Sequence, residues 1–217
     1  MSITLGPGIT VASGVGLGAG GPAPSGALHF NPAYNYNSPG FGGPALTFSN
    51  SNLTVLDNFP GEYSTLTTVQ LSPGNKYMAS FTLDVYTDPV SWIGIGNTSI
   101  DLANGLGYDT NSIGFNNAGD YRFGNTIYGT GYCDFTNSGD VIDLAIDTGV
   151  NLMWIRVNGG DWNNNPLADP VTQSNGVAIG GLSNGYVALA VGGYNFYSQF
   201  SINTSSPYTV PAGFTFL

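Results

Sequence analysis

The run GDVIDLAID followed by WIRVNGGDW, from Gly139 to Trp162, constrains this chain more than any other stretch. Ile142, Leu144 and Ile146 fall on one side of an extended backbone, and Asp143 and Asp147 fall on the other. That is the period of two expected of a strand with one face on a core. Met153, Ile155 and Val157 alternate in the same way and stop at Asn158-Gly159-Gly160. An Asn-Gly step is a strong turn signal because both residues tolerate positive φ. The segment predicts a β-hairpin with a wide acidic outer face, on which Asp143 and Asp147 meet water.

The same alternation recurs from Leu46 onward. Leu46-Thr47-Phe48, Leu53-Thr54-Val55 and Val69-Gln70-Leu71 are short runs, and the longest strand pattern is Tyr77 to Val85. There Tyr77, Ala79, Phe81, Leu83 and Val85 face one side, with Ser80, Thr82 and Asp84 opposite. Ser91 to Asn97 adds a strand whose glycines permit close backbone approach. Tyr186 to Val191 and Phe196 to Ile202 complete the set. Turn clusters separate these runs, among them Ser72-Pro73-Gly74-Asn75, Asp88-Pro89, Asn116 to Gly119 and Ser183-Asn184-Gly185. No window keeps a helical period, so the expectation is an all-β antiparallel sandwich over residues 45–217.

Residues 1–44 differ in kind. They contain no Asp, Glu, Lys or Arg, and they open with ITLGPG, ITVASG and VGLGAG, a six-residue repeat closed by Gly8, Gly14 and Gly20. Ile3, Ile9 and Val15 share one register, and Leu5, Val11 and Leu17 share another. Such units read as brief extended strands, and three copies are too few to bury their own side chains. They need a second chain or a foreign surface, which predicts an assembly arm. The competing reading is a low-complexity linker, against which the in-register Ile, Val and Leu stand. Gly21 to Gly43, with Pro22, Pro24, Pro32 and Pro39, reads as an irregular connector. Extended, the arm and connector would reach about 130 Å.

Composition narrows the function. Charged residues are only 7% of 217, yet the formal net charge is -10 because Lys and Arg number 3. Lys76, Arg122 and Arg156 are too few to neutralise a phosphate backbone, so nucleic acid is not expected as a partner, nor an anionic membrane. The one cysteine, Cys133, allows no internal disulfide and reads as a small buried apolar residue. The N-terminus has neither a basic region nor an unbroken apolar run, so no signal peptide or membrane anchor is expected. The triplets at Asn52, Asn97 and Asn203 match a glycosylation pattern by chance in so Asn-, Ser- and Thr-rich a chain.

Catalysis is not expected. The chain has one histidine, His29, and one glutamate, Glu62, so the paired carboxylates of sandwich-fold glycosidases and any Ser-His-Asp set are missing. Asp161 to Asn165 and Asp101 to Asp109 offer oxygens to calcium without the spaced pattern of a calcium loop, so no metal and no cofactor are expected. A glycan platform remains. Trp162, Asp161, Asn163 and Asn164 lie in a polar insert, and Tyr121, Tyr128 and Tyr132 lie in loop-like stretches. Aromatic faces amid amides suit sugars; the competing reading is that Trp162 folds back over the end of the sandwich. Trp92 and Trp154 read as packing residues.

Several of these pieces together resemble the SPRY domain, a concanavalin-like jelly roll of two antiparallel sheets. LTFSNSNLTV (Leu46 to Val55) and YSTLTTVQL (Tyr63 to Leu71) are similar to its opening strands. YMASFTLDV (Tyr77 to Val85), SWIGIGN (Ser91 to Asn97), and LGYD with SIGF (Leu106 to Phe115) follow in the family's order. Gly139 to Ile142 with Asp147 resembles its central GDVI signature, and Val157-Asn158-Gly159 its NG turn. PYTVPAGFTFL (Pro207 to Leu217) resembles an ending found in SPRY-like domains of bacteriophage structural proteins. The Asn-rich insert Gly160 to Gly176 and Thr82 depart from the pattern. The resemblance implies a recognition module without enzymatic activity. With the arm, it implies a virion component, either a capsid decoration or a tail appendage. The arm residues Ile3, Leu5, Ile9, Val11, Val15 and Leu17 would meet other virion proteins or sister copies. The alternative is an adhesin for cell-surface glycans, and a third reading is a cellular SPRY protein that engages a peptide.

Overall fold

The structure is a computed structural model that describes residues 27–38, 43–57, 61–86, 91–193 and 198–217, with the short strands Ile3–Thr4 and Thr10–Val11. These two, β1 and β2, pair antiparallel with Ile3 opposite Val11. Leu5, Ile9, Val15 and Leu17 of the expected arm lie outside the described residues. A second small ribbon joins β3 (Asn37–Ser38) to β4 (Gly43–Pro44). The body then runs β5 (Leu46–Ser49), β6 (Thr54–Asp57), β7 (Gly61–Gln70), β8 (Lys76–Val85), β9 (Trp92–Gly96), β10 (Ser112–Asn116), β11 (Tyr121–Phe123) and β12 (Thr126–Gly129). It continues with β13 (Val141–Asp147), β14 (Leu152–Val157), β15 (Val177–Ala178), β16 (Tyr186–Gly193), β17 (Gln199–Ile202) and β18 (Thr215–Phe216).

Two sheets result. One has the order β12-β11-β10-β9-β16-β7, the other β15-β14-β13-β8-β17-β6-β5, with β18 parallel to the start of β8. The other pairings are antiparallel. Alternation explains the core between them. Tyr77, Ala79 and Phe81 of β8 sit opposite Ile146, Leu144 and Ile142 of β13, and all point inward. Ile93, Ile95, Ile113, Phe115, Val187 and Leu189 of the other sheet belong to the same buried cluster.

The core also reaches back into the stretch read as connector. Leu28 and Phe30 are buried in it, and Phe30 bridges to Thr67 of β7. In β9 all five residues are buried, because the sheet's outer face is covered as well. Trp92, Ile100, Leu106, Leu66 and Ala188 pack together there. Gly94 lies opposite Gly114, and a Cβ on Gly94 would collide with the Ile113 backbone, so the close approach requires glycine.

The hairpin of Gly139 to Trp162 forms with two corrections. The link between β13 and β14 is Thr148 to Asn151, where Asp147 Oδ1 accepts from the Gly149 and Val150 amides at 2.9 and 3.2 Å. The Asn158-Gly159 step follows β14 instead, with φ of 52° and 70°. There Asn158 Oδ1 accepts from the Val141 amide at 2.9 Å, and Asn158 Nδ2 donates to Asp140 at 2.8 Å. The GDVI and NG signatures are thus two sides of one clasp at the open end of the hairpin.

The second correction concerns the acidic outer face, which does not meet water. Asp143 and Asp147 are buried beneath the insert after Gly160 and the C-terminal segment. Arg156, directly opposite Asp143 in register, holds it at 2.9 Å, and Lys76 holds Asp147 at 3.2 Å. Arg156 also donates to the Thr209 carbonyl at 2.8 Å and lies 4.3 Å over the Trp162 ring. The small Ala145, between the two aspartates on the same face, leaves room for Trp154 and Ala168, with Trp162 and Phe214 alongside.

Candidate functional site

One lateral edge of the sandwich stays open. There β11 and β12 end one sheet and β15 ends the other, and side chains diverge from both. The gap is a cleft of about 470 Å³ lined by Ile113, Tyr121, Phe123, Tyr128, Tyr132 and the backbone from Gly176 to Gly180. The Tyr121 hydroxyl bridges the sheets by donating to the Ala178 carbonyl at 2.9 Å.

Local sequence places each ring. Gly119, at φ 88°, closes the β10–β11 turn tightly enough for residues 130–135 to fold back over it. The Tyr132 amide donates to the Gly119 carbonyl at 3.0 Å, and the Cys133 thiol to the Asn116 carbonyl at 3.2 Å. Tyr132 then packs 5.4 Å from Phe115 and 6.0 Å from Tyr121. A register shift between β11 and β12 leaves Tyr128 unpaired, with its ring 5.9 Å from Tyr121. Bulges of this kind re-aim side chains at sheet rims. Tyr121 and Tyr128 therefore lie in strands, not in the loop-like stretches expected, and Tyr132 follows them in a loop.

A second cleft of about 250 Å³ adjoins the first, and Tyr132 lines both. Its other walls are Cys133, Asp134, Val157, Asn158, Gly160, Asp161 and Asn164, so it is polar and acidic with no basic residue. Burial pushes the Tyr121 phenol up to about 12, assisted by Tyr132 and Tyr128. Burial likewise raises the Cys133 thiol, with Asp134 and Asp120 adding to it. Both groups are neutral hydrogen-bond donors across the physiological range.

Five of the seven residues expected in a glycan platform thus line these two clefts: Tyr121, Tyr128, Tyr132, Asp161 and Asn164. The other two face inward. Trp162 stacks on Arg156, and buried Asn163 accepts from the Ile155 amide at 2.9 Å and donates to the Asn175 carbonyl at 2.8 Å. Both brace the loop that carries their neighbours. Tyr132 completes the wall between the clefts. Its spacing after Tyr121 and Tyr128 was visible in sequence, but the fold-back over Gly119 that brings it there was not.

Elsewhere, the carboxylates of Asp101 and Asp109 accept from loop amides and from Asn104, Asn111 and Ser112. No group of three or more His, Cys, Asp or Glu side chains converges among the described residues.

No protein-family model matches the chain, and no curated protein matches it. Solved structures do. The SPRY domain of human HERC1 superposes with a TM-score of 0.61 at 13% identity, covering 80% of this chain and 96% of that one. A human SPRY domain gives 0.56 at 11% identity over 75% and 96%. The TRIM65 PSpry domain gives 0.55 at 9% over 82% and 92%. The likeness is one of fold, and the sandwich of this chain has the fold of a SPRY domain.

Proposed function

We propose that this chain is a non-enzymatic structural protein of a bacteriophage virion, a capsid decoration or tail appendage whose N-terminal arm anchors it while the SPRY-like body projects as a recognition domain. The observation that carries the recognition half is the open edge, where two adjoining clefts are walled by tyrosines on one side and by Asp134, Asp161 and Asn164 on the other. A concave, largely apolar surface with a few polar groups is the usual form of a binding site. The virion half rests on the apolar repeats and the PYTVPAGFTFL ending. Burying the six arm side chains would contribute on the order of 10 kcal/mol before ordering costs.

Charge is consistent with this role. Each of the three basic side chains meets a carboxylate, with Arg122 3.5 Å from Glu62 in the third pair. Little positive charge is left to hold a polyanion. The test is mass spectrometry and immunogold microscopy of purified particles from cells that express the chain. The protein should comigrate with the particles and label their surface. Recovery only from the particle-free fraction overturns the reading.

The second reading, a module for cell-surface glycans, is favoured by the convergence of Tyr121, Tyr128, Asp161 and Asn164 on one edge. Binding of the intact chain to a panel of immobilised glycans tests it. Tyr128→Ala should reduce any binding at least tenfold, and a panel with no bound glycan removes this reading.

A further inference from the structure

The sheet that ends on β12 has an edge unlike the other described edges. The outer edge of β7 is closed by the segment before β3: the Asn31 amide donates to the Leu66 carbonyl at 2.9 Å, and the Thr68 amide to the His29 carbonyl at 2.8 Å. The edge of β5 is closed by Asn35, whose side chain bonds Leu46 twice, at 2.7 and 3.0 Å. β15 is two residues long, and its Ala178 carbonyl takes the Tyr121 hydroxyl. β12 runs Thr126-Ile127-Tyr128-Gly129, the last strand of its sheet, and carries no charge and no proline. Ile127 is 53% and Tyr128 63% exposed. Edge strands are normally blunted by charge, proline, a bulge or a cover, because an open edge templates pairing with another strand. Here the one device present, the bulge at Tyr128, turns that ring toward the tyrosine cleft and leaves Thr126 and Ile127 in the open.

We propose that β12 is a strand-addition site, and that its occupant is the N-terminal repeat, Ile3 to Gly20, of a second copy of this chain. The inference rests on reading that repeat as an assembly arm. In strand addition the main chain supplies the hydrogen bonds, and pockets for alternate side chains supply specificity. The repeat suits both parts: it alternates apolar residues, carries no charge, and meets an uncharged edge beside an apolar cleft. Ile3–Thr4 and Thr10–Val11 already form a paired ribbon, so the unit offered to β12 is itself a strand edge.

The point where the chain enters the sandwich leaves room for exchange between copies. Leu28 enters beside β7, the opposite edge of the same sheet from β12. Five strand spacings, about 24 Å, separate the two edges. If extended, the stretch from Val11 to Ala27 would span about 50 Å, ample to reach a neighbour. Joining the arm side of one copy to the β12 side of the next is a head-to-tail contact, which closes into a ring or runs on as a filament.

The test uses the intact chain. Val11→Cys and Ile127→Cys variants are mixed and oxidised, with the wild type, whose Cys133 is buried, as the control. In parallel, the mass of Ile127→Lys is measured by sedimentation. The proposal expects a disulfide-linked dimer from the mixture and from neither variant alone. It also expects Ile127→Lys to fall to monomer mass with an unchanged circular dichroism spectrum. If the wild type is oligomeric, Ile127→Lys leaves its mass unchanged and the mixture does not cross-link, the arm assembles the protein elsewhere and this inference is overturned. Cross-linking of Ile127→Cys with itself overturns it in favour of edge-to-edge pairing. A wild type that sediments as a monomer, with a mixture that does not cross-link, overturns this inference and leaves the arm to a foreign surface such as the particle.

Discussion

Replacing Arg156 with Met tests how the outer face of the larger sheet is held. The Asp143 side chain is 1% exposed and the Arg156 side chain 9%, with Nε 2.9 Å from Oδ2. Asp143 Oδ1 has no hydrogen-bond partner, so the carboxylate depends on this one cation. Removing one partner of a buried pair leaves an uncompensated charge and typically costs about 3–5 kcal/mol. The variant also loses the bond to Thr209 and the stacking on Trp162. For a domain of this size each kcal/mol moves the melting temperature by about 2–4 °C, so a fall of roughly 10 °C is expected. Guanidinium unfolding of wild type, Arg156→Met, and the double variant Asp143→Leu/Arg156→Met measures it. The double variant should recover most of the loss, since replacing both charges by apolar groups is often neutral. A loss under about 1 kcal/mol in the single variant, or a double variant worse than the single, refutes the reasoning.

Four further outcomes follow from the same contacts. Asn163→Ala removes two buried bonds, to Ile155 and Asn175, and should cost about 1–3 kcal/mol by denaturant unfolding. Gly94→Ala, which forces a Cβ against the Ile113 backbone, should lower the melting temperature by several degrees or abolish folding. Cys133 should resist a thiol-specific reagent at neutral pH until the protein unfolds, because the thiol is buried and its ionisation is suppressed. Tyr121 ionises at about 12 in the fold against 10.0 when free. A raised pKa means its contribution is whole below pH 10 and is lost as pH rises from about 10 to 12. Phenolate absorbance of wild type and Tyr121→Phe should coincide through the titration near pH 10, with the wild type gaining one further tyrosine as pH approaches 12, and alkaline loss of stability should be shallower in that variant.

The sandwich was legible because its strands alternate: Tyr77 to Leu83 and Ile142 to Ile146 each put apolar side chains on one face, and both faces met in the core. What alternation cannot reveal is whether the opposite face is covered. Asp143 and Asp147 look solvated in isolation and are buried because Arg156 and Lys76 stand opposite them in register and the C-terminal segment closes over the top. The Ala145 between them was the available clue, since an open face has no need of a small residue. The same gap hid the role of Asn158-Gly159, whose turn was recognisable but whose clasp on Val141 depends on pairing across the hairpin. At the candidate site, residue types pointed to Tyr121, Tyr128, Asp161 and Asn164, and the fold brought them to one edge. Trp162 faces inward because the nearest cation, Arg156, lies on the sheet beneath it.

If the tyrosine-walled edge is the recognition surface proposed above, removing its most exposed ring should remove binding. Binding of the intact chain to envelope vesicles of the cells that express it is measured by quantitative sedimentation for wild type and Tyr128→Ala. Tyr128 is 63% exposed, so its removal should leave the unfolding midpoint within about 0.5 kcal/mol of wild type. The account predicts saturable binding by the wild type that weakens at least tenfold in the variant. Binding of equal strength by the two proteins, or none by the wild type, would contradict it.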